Sequence, residues 1–210
     1  SAIGKRTTNR KSFDNLPLKP HEISVLKRTA GDFNNPQFFL VEGKQQKLIL
    51  ARASSVNEIV MLGHKRMHEL FFEEIVWTKD EEMQKQSGLY LPTMELKPAQ
   101  QKLFRLLRNW SLMKVVSAVG FPKIIARNNA KKYAQCAAMG AIVVENTDLS
   151  FIKAGQMLER TWLTAINLGL QLHLITGILF LNQNIEGGRS DLFSSKQAKL
   201  IKDAYHQIAD

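Results

Sequence analysis

The stretch that most limits what this chain can fold into runs from Thr147 to Gly177, TDLSFIKAGQMLERTWLTAINLGLQLHLITG. Phe151, Ala154, Leu158, Trp162, Ala165 and Leu168 recur at three- and four-residue steps, which places them on one side of a long helix. Thr147 and Asp148 can cap its start by accepting backbone N–H bonds. Gly169 can close it, because glycine tolerates the left-handed conformation of a helix end. Leu170 to Ile175 then reads as a short buried extended segment, and Ile178 to Leu181 as a second one. Gly155 lies inside the helix at a cost of about 1 kcal/mol relative to alanine. It marks either close approach by a neighbouring helix or ligand, or a tolerated defect.

Elsewhere the chain alternates helical and strand patterns. Leu18 to Arg28 reads as an amphipathic helix with Ile23 and Leu26 inward, and GDFNNP, Gly31 to Pro36, as a turn. Gln37 to Glu42 and Gly140 to Glu145 have the branched and aromatic content of buried strands. Helices are expected over Gln45 to Ala53, Val56 to Val76, Pro98 to Val119, Lys123 to Ala138 and Ser194 to Ile208. Asp80 to Gly88 reads as a polar connector closed by a Ser87-Gly88 turn, and Asn182 to Arg189 as a loop. No internal repeat, low-complexity tract or domain boundary stands out, so residues 1–210 read as one domain.

Composition narrows the class. A 44% apolar content belongs to an ordinary globular protein, and the most apolar run, Leu168 to Leu181, is too short to span a bilayer. The single cysteine, Cys136, leaves no internal disulfide and fits a reducing compartment; with no apolar signal region behind the opening charges, a cytoplasmic location is expected. The net charge of +10 is concentrated. Between Leu96 and Val144 stand Lys97, Lys102, Arg105, Arg108, Lys114, Lys123, Arg127, Lys131 and Lys132, with no Asp or Glu. Such a field attracts nucleic acid, anionic lipid or phosphorylated small molecules. The Pro98 to Val119 helix has its apolar face at Leu103, Leu106, Leu107, Trp110, Met113 and Val116. It reads as a core- or subunit-packing helix in preference to a lipid-surface or partner-binding element.

Few residues carry chemistry. There is no GxSxG, P-loop, CxxC or HExxH pattern. His64 and His68 are one helical turn apart, near Glu69 and Glu73, but no third ligand is evident; a solvated helix face is expected and no metal is assigned. Cys136, among alanines, reads as a small buried residue. The opening KRTTNRKSF, Lys5 to Phe13, is basic without helical period. In an extended segment Arg6, Thr8 and Arg10 share a side, and two guanidinium forks around a hydroxyl suit a phosphate dianion. The alternative is a solvated basic arm.

Three separated pieces resemble the flavin-dependent nitroreductase family. RTTNRKSF, Arg6 to Phe13, is similar to its opening phosphate-binding motif. NPQFFLV, Asn35 to Val41, resembles its Asn-x-Gln stretch leading into the first core strand. LGLQLHLITG, Leu168 to Gly177, resembles the helix end and following strand beside the flavin ring. The basic stretch, about 96–138, is similar to a helical insertion found in one branch. The resemblance implies an α+β fold, a central mostly antiparallel sheet wrapped by helices, in an intertwined homodimer with FMN at the interface. It further implies ping-pong hydride transfer from NAD(P)H through FMN to a nitro, quinone or similar small-molecule acceptor, with no catalytic side chain assigned because the flavin carries the redox chemistry. By the same resemblance Arg6, Thr7, Thr8 and Arg10 bind the FMN phosphate, Asn35 and Gln37 face the flavin's polar edge, and backbone N–H groups of Thr176 and Gly177 lie near the ring nitrogen that accepts hydride.

The sequence also departs from the family. Leu174 and Thr176 stand where Pro and Glu are frequent, and Ser87-Gly88 where the branch often has Asp-Gly. The family's closing strand, with its further phosphate-binding cation, has no counterpart before Asp210. These departures motivate a second reading: a degenerate flavin-binding domain of low or no turnover, within a larger protein. A basic nucleic-acid-binding module is the least favoured reading, since no helix-turn-helix spacing, RNP-like aromatics or zinc-finger cysteines are present.

Overall fold

The computed structural model describes residues 1–33 and 36–209. In chain order the elements are α1 (Pro20–Gly31), β1 (Gln37–Val41), α2 (Lys44–Ser54), α3 (Val56–Gly63), α4 (Lys65–Glu73), β2 (Ile75–Val76), α5 (Lys79–Lys85), β3 (Leu89–Tyr90), α6 (Pro98–Leu107), α7 (Trp110–Ala118), α8 (Phe121–Ala134), β4 (Met139–Val143), α9 (Asp148–Asn167), α10 (Gly177–Glu186) and α11 (Ser195–Ala209). Helix and strand are mixed, as the α+β expectation has it. The strands do not form one central sheet among the described residues: β1 pairs antiparallel with β4, and β2 pairs parallel with β3. The chain divides into two units, each assembled from two stretches: Ser1–Lys47 with Tyr133–Leu174, and Leu48–Lys132 with Ile175–Asp210.

The first unit is organised on α9. Thr147 Oγ1 accepts from the Ser150 N–H at 3.2 Å, the cap its sequence predicts. At the other end Gly169 takes a φ of +79°, the Gly169 N–H donates to Ile166 C=O, and the Leu170 N–H reaches back to Ala165 C=O. That pair of bonds satisfies the last carbonyls of the helix. The inward face is rotated from the expected one. Ser150, Met157, Thr161, Trp162 and Ala165 are buried, while Phe151 lies 49% exposed. At 100° per residue the Met157–Thr161–Ala165 line, not the Phe151 line, is the one that α1 and the sheet cover. Gly155 is exposed, and a Cβ there would meet nothing within 4 Å among the described residues outside its own helix backbone.

α1 begins with Pro20 in its first turn, and the Glu22 carboxylate accepts from the Lys19 N–H at 2.7 Å, reaching back to the residue before the helix. Leu26 and Ala30 are its buried residues, and Ile23 is half-buried. Arg160 of α9 pairs with Asp32 just beyond the α1 end, at 2.9 Å. In the sheet, Gln37 opposes Val143 and Val41 opposes Met139. The two strands are not buried, as expected, but half-buried: Phe39 is 49% and Val143 51% exposed. Lys47, buried, donates from Nζ to Cys136 C=O at 2.6 Å and Ala137 C=O at 3.0 Å, tying the segment before β4 to the start of α2.

The second unit holds two apolar cores. One gathers Val56, Val60, Ile178, Leu181, Phe193 and Ile201 from α3, α10, α11 and the segment before α11. The other gathers Leu62, Phe72, Ile75, Leu91, Leu107 and Met113. Several expected elements are divided here. The Val56 to Val76 helix breaks at His64, which ends α3 and caps α4, with Nδ1 accepting from the Met67 N–H at 3.3 Å. The Pro98 to Val119 helix breaks before Asn109, whose side chain caps α7. Asp80 to Gly88 is not a connector: Thr78 caps α5 and three acids occupy its first turn, where the helix dipole favours them. Ile178 to Leu181 and Asn182 to Glu186 are not strand and loop but α10, because the apolar positions Ile178, Leu181 and Ile185 follow a helical period that buries one side.

Candidate phosphate-binding site

After a single 3₁₀ turn at Ile3–Lys5 the chain becomes extended at Arg6, with φ −70° and ψ 114°. Thr8 then forms a parallel bridge to Leu172, and the Asn9 N–H donates to Leu172 C=O at 2.8 Å. A side-chain turn follows, the Lys11 N–H donating to Asn9 Oδ1 at 3.0 Å. The extended reading of Leu170 to Ile175 therefore holds at the one residue that pairs. That residue joins two of the three segments carrying the family resemblance.

Arg6 does not project alone. Its Nε lies 3.2 Å from Glu159 Oε1, and its guanidinium carbon sits 4.7 Å from the centre of the Trp162 ring. Both partners are on α9, three residues apart, and so on one side of the helix. Sequence reasoning took Trp162 as core and passed over Glu159; the signal available was this i, i+3 pair of a carboxylate and an aromatic. A guanidinium has five N–H donors, so pairing through Nε leaves the terminal nitrogens able to serve an anion. Thr7 is exposed, and Thr8 and Arg10 are half-buried. The extended segment thus carries two guanidiniums and two hydroxyls, and one of the guanidiniums, Arg6, rests against the Glu159 carboxylate of α9.

The other expected cofactor residues divide differently. Asn35 lies outside the described residues. Gln37 opens β1 and is exposed. Thr176 and Gly177 belong to the second unit, where Thr176 precedes α10 and accepts from the Leu179 N–H at 3.0 Å through its backbone carbonyl. The first N–H groups of a helix have no acceptor within it, so this end of α10 offers donors to an anion. A Cβ on Gly177 would collide with the Asn57 side chain of α3, so the helix start and α3 come together closely at this glycine.

Other chemistry is limited. A small open cavity of about 120 Å³ is lined by Asn15, Leu16, Pro17, Glu42, Lys47 and Ala137. Pockets for cofactor-sized ligands run to about 300–1,000 Å³, well above this. Burial pushes the Cys136 thiol up in pKa, and the nearby Lys47 charge only partly offsets it, so the sulfur is a poor nucleophile. Burial lowers the Lys132 ammonium, against the raising effect of Glu95. Among the described residues no group of three or more His, Cys, Asp or Glu could hold a metal. His68 is not on a solvated face as expected: it is 1% exposed, with Nε2 2.8 Å from Leu107 C=O and its ring against Phe72 and Trp110. A carbonyl only accepts, so Nε2 donates to a group left over where α6 ends.

Comparison with protein-family models, curated proteins and solved structures finds no match to this chain.

Proposed function

We propose that the chain is an FMN-dependent NAD(P)H oxidoreductase of nitroreductase type that works as a homodimer. The observation that carries this reading is the Thr8–Leu172 bridge, with its 2.8 Å Asn9 to Leu172 hydrogen bond. Two stretches more than a hundred and fifty residues apart, each resembling a piece of one flavin site, pair in a single unit. The donor set fits the phosphate end of the cofactor: Arg6 and Arg10 supply charge, and Thr7 and Thr8 supply neutral donors. When bound, FMN supplies the hydride chemistry between NAD(P)H and a nitro, quinone or similar acceptor. The chain's own part is to hold the phosphate with its opening segment and to admit the acceptor.

A homodimer agrees with apolar side chains that the first unit leaves in water. Phe39 and Val143 on the sheet are about half exposed, as is Phe151 on α9, and Ile152 on α9 is 60% exposed. The cavity at Lys47 is too small for a flavin, so a site shared between two copies is the arrangement the reading requires.

The Arg6–Glu159 pair favours a second reading, a degenerate flavin-binding domain of low or no turnover, because a carboxylate at this point opposes a phosphate dianion and so weakens the site. An absorbance spectrum of the freshly purified protein separates the readings. Visible flavin bands that NADH or NADPH bleaches and an acceptor restores support the enzyme. Bands that neither donor bleaches support the second reading, and a colourless protein that takes up no added FMN removes both. Arg10→Ala is expected to lose FMN far more readily than Lys11→Ala; equal retention would show that Arg10 does not hold the phosphate.

A further inference from the structure

The acid-free basic stretch takes no part in the flavin reading, and on α6 and α7 it leaves both apolar and cationic side chains exposed. α6 and α7 bury Leu107 and Met113 in one core with Phe72 and Ile75. Their opposite sides remain in water. On α6, Leu103 is 44% and Leu106 61% exposed, a pair three residues apart, with Lys102 and Arg105 forming a parallel exposed pair beside them. On α7 and the residue that follows it the pattern repeats: Leu112, Val115 and then Val119 are 39%, 65% and 80% exposed, with Lys114 on the flank. α8 continues the charge with Lys123, Arg127 and Lys131, all exposed and four apart.

Three occupants can be weighed on this chemistry. A second copy of the same face would cover the leucines and valines but set lysine against lysine. A nucleic acid would meet the cations and leave Leu106, Val115 and Val119 without a role. Arg105 and Arg108 also have their guanidinium carbons 5.4 Å from the Trp77 ring, so part of the charge is already held along the protein. An anionic bilayer surface answers both needs, with apolar side chains in the acyl boundary and ammonium groups among the headgroups. We infer that α6 and α7 form an interfacial docking element for a bilayer containing anionic lipid. The helices lie in the interface: among the described residues no helix is long and apolar enough to cross a membrane.

The inference is independent of the flavin. The test is co-sedimentation of the full chain with vesicles of phosphatidylcholine alone and of phosphatidylcholine mixed with phosphatidylserine. Binding is expected only to the mixed vesicles. Lys102→Gln with Lys114→Gln should weaken it about five-fold per charge removed. Leu106→Ser with Val115→Ser should weaken it at least about ten-fold, from the lost apolar insertion. All four residues are exposed, so both variants should fold, which circular dichroism checks. Failure of the wild type to bind mixed vesicles overturns the inference. So does apolar-variant binding equal to wild type with only the lysine variant weakened, the pattern of a purely electrostatic partner such as nucleic acid. A shift of the apolar variant from dimer to monomer in sedimentation velocity also overturns it, by showing that this face joins two copies.

Discussion

The two units solve burial differently. The second has two apolar cores, and its fully buried side chains include Met113, Ile178 and Ile201. In the first, Met157, Leu26 and Trp162 share the interior with Glu22, Lys47, Ser150 and Thr161. Thr161 Oγ1 and Trp162 Nε1 are buried there without a hydrogen-bond partner, as is His68 Nδ1 in the second unit. Meanwhile Phe39, Val143, Phe151 and Ile152 stay outside, as Leu106, Val115, Val119 and Phe180 do in the second unit. A buried polar group without a partner costs about 1–3 kcal/mol, and apolar surface left in water contributes nothing to folding. Both units thus keep polar atoms inside and apolar side chains in water, but both apolar cores described above lie in the second, so the first, which carries the candidate phosphate site, rests on the smaller apolar interior.

The sharpest way to break that comparison uses one residue type at two places. Met113 and Met157 are both 0% exposed. Met113→Ala, inside an aromatic-rich core, is expected to cost about 4–5 kcal/mol in urea unfolding, and Met157→Ala nearer 2 kcal/mol. Equal costs would show that the first unit packs as well as the second. Next in size is Lys47→Met, which strips two carbonyls of a charged donor; a loss of about 2 kcal/mol is expected, and a neutral result would remove the polar interior as a structural element.

Gly155→Leu sharpens the comparison further. With open space at its Cβ, the change should raise the stability of an isolated chain by up to about 1 kcal/mol through helix propensity. The same change should impair dimerisation or FMN uptake, read by sedimentation velocity and flavin content. A variant that is fully dimeric and fully loaded would make the glycine incidental. For the site itself, Glu159→Gln is expected to tighten FMN binding by freeing Arg6, and a weaker hold would mean that Glu159 positions the guanidinium productively. The smallest effect concerns Cys136. Its folded-state pKa is raised by burial, so its contribution to stability is complete below the thiol's ordinary range and declines as pH rises through that range toward the folded value. Cys136→Ala should flatten that alkaline decline in a pH series of thermal melts.

Much of the local structure was legible in the residues. The Thr147 cap, the Gly169 closure and the β1 and β4 segments follow from capping chemistry, left-handed glycine and strand composition. Apolar runs such as Ile178 to Leu181 satisfy strand and helix patterns alike, and only the core they face chooses between them. The breaks at His64 and Asn109 were hidden because each is made by a side chain that caps a new helix, a choice that pays off only once α4 and α7 pack at their own angles.

By itself the sequence determined a mixed helical and strand protein, a concentrated basic stretch and a basic opening segment with two arginines. Tertiary structure alone decided that this opening pairs with Leu172 and that Arg6 rests on Glu159 and Trp162. It also decided that α9 buries its Met157 line and that α6 and α7 keep leucine and valine beside lysine in water. Periodicity fixes which side chains share a face, but which face is covered depends on neighbours distant in the chain, and that information lies in packing rather than spacing.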